Sequence, residues 1–410
     1  MATSMFAYAR HVLTSLMWHR PGSVLAVVAL LGVAGGVATA GVSRLVRRRR
    51  GTRPVTWEGL PLTFAFSLFC VADWALLEAL PHLRLSFSSR IIVPLLASVV
   101  VRLFVLWGLM AAAFLARWRG RRRGVPVRTG PAVVLFLAVN LGFSAVQVDA
   151  YVVEPLLVET TQLSLALDDL HPATAPVRVV HITDTHIERS SFREASVVDK
   201  VNALRPDVIV LTGDYLNISR LSDPTSAADF RRFVAQLEAP YGIYAVRGTV
   251  EPTLASMAWL VEDTDVVWLE QEVVTVDVRG QPVTLIGVAC SHNQERDAAR
   301  LGQAMAGVSS DAFTLLLYHS PDLIREAAAH RVDLYLGGHT HGGQLRLPFY
   351  GAIVTSSRYG KQYESGLFQE GGTTMYISRG LGFEGGAMPR ARFLCRPEIV
   401  SLDLVGADSG

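Results

Sequence analysis

Hydrophobic and polar positions divide this chain into two halves with different periods. In residues 1–150 the apolar positions form long runs. Four of these are long enough to cross a bilayer as helices, at 23–42, 60–80, 91–116 and 131–148. The first and last carry no charge; Asp73 and Glu78 lie toward one end of the second, and Arg102 interrupts the third. Residues 1–20 are shorter and more polar, which fits an interfacial helix. From residue 177 onward the runs shrink to four to seven residues and alternate with helical stretches. Short buried strands are predicted at 177–183, 208–212 and 243–246. Helices are predicted at 194–204 and 225–237, with a third running from Pro252 to about 261. A hairpin follows at 273–278 and 283–289, then strands at 313–318, 332–336, 374–378 and 398–404. Strands alternating with helices predict an α/β domain. The expected organisation is a membrane domain at 1–150 with about four transmembrane helices, a connection at 151–176 rich in proline and small residues, and an α/β domain at 177–405.

Charge adds an orientation. The net charge of +2 gives no general reason to expect a nucleic-acid partner. The basic residues are concentrated locally instead. Arg44, Arg47, Arg48, Arg49, Arg50 and Arg53 follow the first apolar run, and Arg117, Arg119, Arg121, Arg122, Arg123 and Arg128 follow the third. Arginine-rich loops stay in the cytoplasm. Four spans would then put the α/β domain on the extracytoplasmic face of the plasma (inner) membrane. Cys70, Cys290 and Cys395 are too few and too scattered for a disulfide framework or a zinc-site spacing. Asp73 or Glu78 could pair with Arg102 at bilayer depth.

The chemistry collects where the short strands end. Asp184 and His186 follow the first, Asp214 the second, His319 the strand at 313–318, and His339 and His341 the strand at 332–336. Open α/β sheets place their ligands at the carboxyl ends of strands. Two carboxylates and four histidines suffice for two divalent ions, an arrangement that clamps the attacking and leaving oxygens in phosphoryl displacement. Such donors suit Mn, Fe and Zn.

Taken together, Asp184-x-His186, Gly213-Asp214, His319 and Gly338-His339-x-His341 resemble the motif blocks of calcineurin-like metallophosphoesterases, in the same order. Gly342-Gly343-Gln344, Ser357-Arg358-Tyr359-Gly360, Ser378-Arg379-Gly380-Leu381-Gly382 and the stretch from Arg392 to Ile399 are similar to a bacterial membrane-associated phosphodiesterase subgroup related to UDP-2,3-diacylglucosamine hydrolases. The resemblance covers residues 177–405 and implies a four-layer α/β/β/α sandwich. It also implies two divalent metal ions: Asp184, His186 and His341 on one, His319 and His339 on the other, Asp214 bridging. A hydroxide activated by both ions would be the nucleophile. The substrate would be a phosphodiester or pyrophosphate, phosphorylated and lipid-linked or at least membrane-proximal.

One block departs from the family. Gly248-Thr249-Val250-Glu251 stands where Gly-Asn-His-Asp/Glu is expected. Thr249 replaces a metal-binding Asn, and Val250 replaces a His that assists the leaving group. Two readings stay open. One is an active membrane-anchored phosphoesterase in which another group, with His292 as the candidate, compensates. The other is a catalytically impaired, metal-binding homologue that senses or binds a phosphorylated ligand.

Overall fold

The computed structural model describes residues 59–86, 92–123, 130–167, 170, 175–251, 254–384 and 389–406. The expected span at 23–42, the interfacial helix at 1–20, the arginines at 44–53 and Pro252 lie outside these residues. The described chain divides into two compact units, with the boundary at 148–149.

The first unit contains helices α1 (Gly59–Ala79), α2 (Ile92–Arg122) and α3 (Gly130–Val148). By length and composition, 93–120 and 131–156 could each cross a bilayer. Their surfaces expose Phe104, Trp107, Phe114, Val134 and Leu141. Beneath this apolar surface, Arg102 on α2 is fully buried and donates to four residues. Its Nε and Nη2 reach Asp73 on α1 at 2.7 and 2.5 Å. On α3, Nη1 reaches Asn140 Oδ1 at 2.9 Å, and Nη2 reaches Ser144 Oγ at 2.8 Å and Gln147 Oε1 at 3.0 Å. Asp73 is thus the partner of Arg102. A buried guanidinium this fully matched ties the three helices together.

The second unit is built on two six-stranded sheets. Its strands, in chain order, are β1 (Glu159–Leu167), β2 (Val177–Ile182), β3 (Val208–Leu211), β4 (Ile243–Val246), β5 (Val266–Leu269), β6 (Val273–Val278), β7 (Gln281–Gly287), β8 (Thr314–Leu317), β9 (Leu334–Gly337), β10 (Arg346–Leu347), β11 (Gly351–Ala352), β12 (Gly366–Glu370), β13 (Thr373–Ile377) and β14 (Glu398–Gly406). The first sheet has the order β1-β14-β2-β3-β4-β5, and the second β12-β13-β9-β8-β7-β6. β10 and β11 form a separate two-stranded hairpin. The helices are α4 (Phe192–Ala203), α5 (Pro224–Val234), α6 (Leu254–Leu260), α7 (Gln294–Met305) and α8 (Ile324–Ala329).

Side-chain alternation along the strands builds the layers. Val177, Val179, Val208, Val210 and Val246 from the first sheet meet Val283, Leu285, Leu315, Leu317 and Leu336 from the second in one buried cluster. The opposite positions of the first sheet, such as Ile182, Ile209 and Ala245, pack on Val197, Val201, Phe230 and Met257 of α4, α5 and α6. Ile286, Leu316 and Tyr335 likewise pack on Leu301 of α7 and Ile324 of α8. This is an α/β/β/α sandwich. The central strands are apolar on both faces because both are covered, so they read as continuous runs. Each fully buried Val, Leu or Ile contributes roughly 1.5–3 kcal/mol.

Local chemistry sets the boundaries. Ser191 caps α4 in a capping box with Glu194. Asp223 caps α5, with Pro224 in its first turn. The β6–β7 turn is tighter than the sequence indicated. Arg279 and Gly280 both have positive φ (55° and 82°), and Gln281 already pairs with Val278, as in a two-residue hairpin turn. The segment 159–167, expected to be part of a connection, is instead strand β1, paired in parallel with β14 over nine positions. Its polar face hid it from a search for apolar runs: Thr161, Gln162 and Ser164 interrupt the pattern.

Candidate metal centre

All six residues singled out at strand ends converge. Asp184 and His186 follow β2, Asp214 follows β3, His319 follows β8, and His339 and His341 follow β9. The donor atoms of Asp184, His186 and His341 lie within 4.8 Å of one another, as do those of Asp214, His319 and His339. Within the first group, His186 Nε2 is 3.1 Å from His341 Nε2, and Asp184 Oδ1 is 3.4 Å from His341 Nε2. Within the second, His319 Nε2 is 3.1 Å from His339 Nδ1 and 3.2 Å from Asp214 Oδ2. The groups share a border: Asp214 Oδ2 is also 3.8 Å from His186 Nε2, and Asp184 Oδ1 is 3.9 Å from His319 Nε2.

The backbone is bent to achieve this. Asp184, His186, Asp214, His339 and His341 all have φ between 42° and 70°, a region non-glycine residues seldom occupy. Cross-strand hydrogen bonds hold them there. Asp184 N–H donates to Gly213 O at 3.0 Å, and His186 N–H to Asp214 O at 3.0 Å. Strain gathered in this way marks a site whose surroundings over-determine it. Two glycines make room for the carboxylates. A Cβ on Gly338 would sit 2.1 Å from Asp184 Oδ2, and one on Gly248 would sit 2.2 Å from Asp214 Oδ1.

Asp184 is fully buried, and its Oδ1 has no hydrogen-bond partner among the described residues although ring nitrogens surround it. Burial, and next the His319 charge opposed by that of Asp214, leave its carboxyl above the usual range. Burial also works against ionised Asp214, but the charge and hydrogen bond of His319 hold it well below that range. His319 in turn is held well above the ordinary histidine value: the carboxylates of Asp214 and Asp184 outweigh burial. His339 is pushed down to about 3 by burial and then by His319. His341 lies well below its ordinary value because of burial and then His186. The orphaned Asp184 oxygen and the N/O donor set of the two groups fit a divalent ion.

The altered block lies against Asp214. Thr249 N–H and Val250 N–H donate to Asp214 Oδ1 at 2.7 and 3.0 Å. The Thr249 hydroxyl is 3.3 and 3.2 Å from the two carboxylate oxygens. Glu251, raised to about 7 by burial and by Asp214, accepts from the backbone N–H groups of Gly248, Asp214 and Tyr215. His292 is exposed on a loop, its Nε2 3.0 Å from Thr249 O. The structure therefore brings it beside the altered block.

Two residues carried no assigned role in the sequence, although Arg392 opens one of the stretches similar to the phosphodiesterase subgroup. Arg392 is fully buried and donates to the carbonyls of Arg379, Gly380, Gly382 and Cys395 at 2.7–3.2 Å. That loop presses on the site, since a Cβ on Gly380 would meet Asp184 Cβ at 2.6 Å. Arg392 Nη2 is also 3.5 Å from His341 Nδ1. The second is Glu384, whose carboxylate lies within 4.8 Å of the donor atoms of His186 and Asp214. It follows no strand and has no ligand at i±2, so spacing gave no signal for it.

Residues 177–343 match the calcineurin-like phosphoesterase family. The uncharacterized metallophosphoesterase YkuE of Bacillus subtilis is 28% identical over 265 residues, covering 61% of this chain and 87% of YkuE. Phosphodiesterase YaeI of Escherichia coli is 29% identical over 248 residues, 56% of this chain and 83% of YaeI. UDP-2,3-diacylglucosamine pyrophosphatase LpxG of Chlamydia trachomatis is 25% identical over 305 residues, 60% of this chain and 89% of LpxG.

Proposed function

We propose that this chain, which carries a calcineurin-like metallophosphoesterase domain, hydrolyses a phosphodiester or pyrophosphate bond at a membrane using two divalent ions. The observation that carries the reading is the shared border of the two donor groups. Asp214 Oδ2 faces His319 and His186 at once, as a bridging carboxylate must. Asp184, His186 and His341 would hold one ion, and His319 and His339 the other. Bound, the pair would acidify a water and neutralise charge on the phosphoryl oxygens. The chain's own residues orient and exclude. Thr249 and Val250 fix Asp214 through their N–H groups, and Arg392 holds the loop that packs on Asp184. Val250 can neither donate a proton nor accept one. Proton donation to a leaving group is typically worth about 10²–10⁴ in rate, so a leaving group that is already a weak base, such as a phosphate, suits this site best.

Two features support a lipid-linked substrate. Apolar helices that could span a bilayer precede the domain. The β10–β11 hairpin, five residues beyond His341, exposes Leu347, Phe349, Tyr350, Ile353 and Val354. Anchored by those helices, the domain would lie on the extracytoplasmic face, opposite the arginine clusters, of which Arg117, Arg119, Arg121 and Arg122 lie at the end of α2. The second reading, a metal-binding homologue that senses or binds a phosphorylated ligand, is favoured by Thr249 and Val250 alone.

The test is turnover of bis-p-nitrophenyl phosphate by the purified full chain with Mn or Zn, with a carboxyl-terminal export reporter to read the topology. We expect hydrolysis that Asp214→Asn abolishes. His292→Ala would lower it only if His292 supplies the proton. A chain that binds metal but hydrolyses no diester, even as Thr249→Asn/Val250→His, would hand the argument to the binding reading.

A further inference from the structure

We infer that Glu384 is a third carboxylate ligand of the metal centre, on the side shared by His186 and Asp214; this rests on the two-metal reading above. Its carboxylate lies within 4.8 Å of donor atoms of both residues, and both are buried. An imidazole and two carboxylates gathered this closely are donor types that a divalent ion takes together.

The placement of Glu384 is built into the site. Gln344, buried three residues beyond His341, grips the Glu384 backbone from both sides. Glu384 N–H donates to Gln344 Oε1 at 2.9 Å, and Gln344 Nε2 donates to Glu384 O at 3.2 Å. The same Nε2 reaches Pro389 O at 2.7 Å. Gln344 itself has φ 57°, continuing the strained turn that aims His341. Glu384 and His341 are therefore positioned by one piece of backbone. An independent sign that this pocket awaits a ligand is Asp184 Oδ1, buried and unpartnered among the described residues.

The Thr249 hydroxyl is turned on Asp214, 3.2–3.3 Å from its carboxylate oxygens. Glu384 adds one donor and one negative charge. Against two divalent ions, Asp184, Asp214 and Glu384 leave a single positive charge to attract a phosphoryl group. A carboxylate-rich set of this kind suits Mn better than Zn.

The experiment is Mn²⁺ binding to the metal-free full chain, followed by electron paramagnetic resonance and by metal content after dialysis. Glu384→Gln and Glu384→Asp are compared with wild type, and the melting temperature of each metal-free protein is recorded. We expect Glu384→Gln to weaken one Mn²⁺ by on the order of 10–100-fold, and Glu384→Asp, which keeps the charge, by less. Metal-free Glu384→Gln should melt within a few degrees of wild type, because Gln344 holds residue 384 through its backbone. Unchanged Mn²⁺ binding by Glu384→Gln would overturn the ligand assignment and leave the two-metal reading standing. A drop in metal-free stability that accompanies weaker binding would make Glu384 a structural residue and overturn it too. Wild type that takes up no Mn²⁺ would overturn both.

Discussion

Arg102 and Asp184 each stand at the centre of a buried polar cluster, where a charge without partners would cost several kcal/mol. Around Arg102 the protein supplies every partner itself: Asp73, Asn140, Ser144 and Gln147 close the circuit across three helices. Around Asp184 the groups that face one another are ring nitrogens and carboxylates, and one Asp184 oxygen has no donor among the described residues. Burial and polarity are common to both. What separates a structural tie from a site is whether the hydrogen-bond accounts balance without an outside ion.

The contrast predicts effects of opposite sign. Removing one member of the closed cluster should be the most damaging change. Arg102→Leu strands Asp73 and should cost about 3–5 kcal/mol, while the Asp73→Leu/Arg102→Leu pair should recover much of that loss. Unfolding in detergent followed by helical circular dichroism would measure both, and equal losses for single and double variants would break the comparison. In the open cluster, removing a member should help the metal-free protein. Asp184→Asn should raise its stability by about 1–3 kcal/mol. The same change should abolish the stabilisation by Mn²⁺, expected near 2.7 kcal/mol at a hundredfold excess over Kd. Calorimetry of the full chain with chelator and with Mn²⁺ reads both, and a metal-free Asp184→Asn that melts lower than wild type would contradict the account.

The smallest effect is on pH. His319 is held above its unfolded value, so its contribution is complete below about pH 6.5 and is lost as pH rises through the elevated folded value. Asp184, also raised, acts in the same direction. Melting temperature of the metal-free chain should therefore fall as pH rises above about 6.5. With metal bound the proton is displaced and the fall should flatten. Parallel curves with and without metal would remove His319 from the explanation.

The site was more legible in the sequence than the fold around it. The six candidate ligands were visible because each follows a short apolar run, and strand ends are where a doubly covered sheet opens. β1 was hidden by Thr161, Gln162 and Ser164 on an edge strand with one face exposed. The strand β5 alternates buried and exposed positions over only four residues, too few to register a period. Glu384 and Arg392 act from loops, where no period exists. Their roles emerge only after Gln344 and the 379–382 loop have folded back on the metal-ligand turns. The Arg102–Asp73 partnership was half legible: the charges stood out against apolar runs, but Glu78 was an equal candidate until helix phase selected Asp73.

Strand β14 lies between β1 and β2, so the first sheet needs the chain's residues 398–406 before it can close. Between the synthesis of β1 and that of β14 the ribosome adds about 230 residues, which at about 5–20 residues per second takes on the order of 10–50 s. For that interval two strands that will be neighbours of β14 offer unpaired edges to any other chain nearby. The threonine, glutamine and serine of β1 then acquire a second meaning: polar side chains on a waiting edge discourage wrong partners until the right one is made.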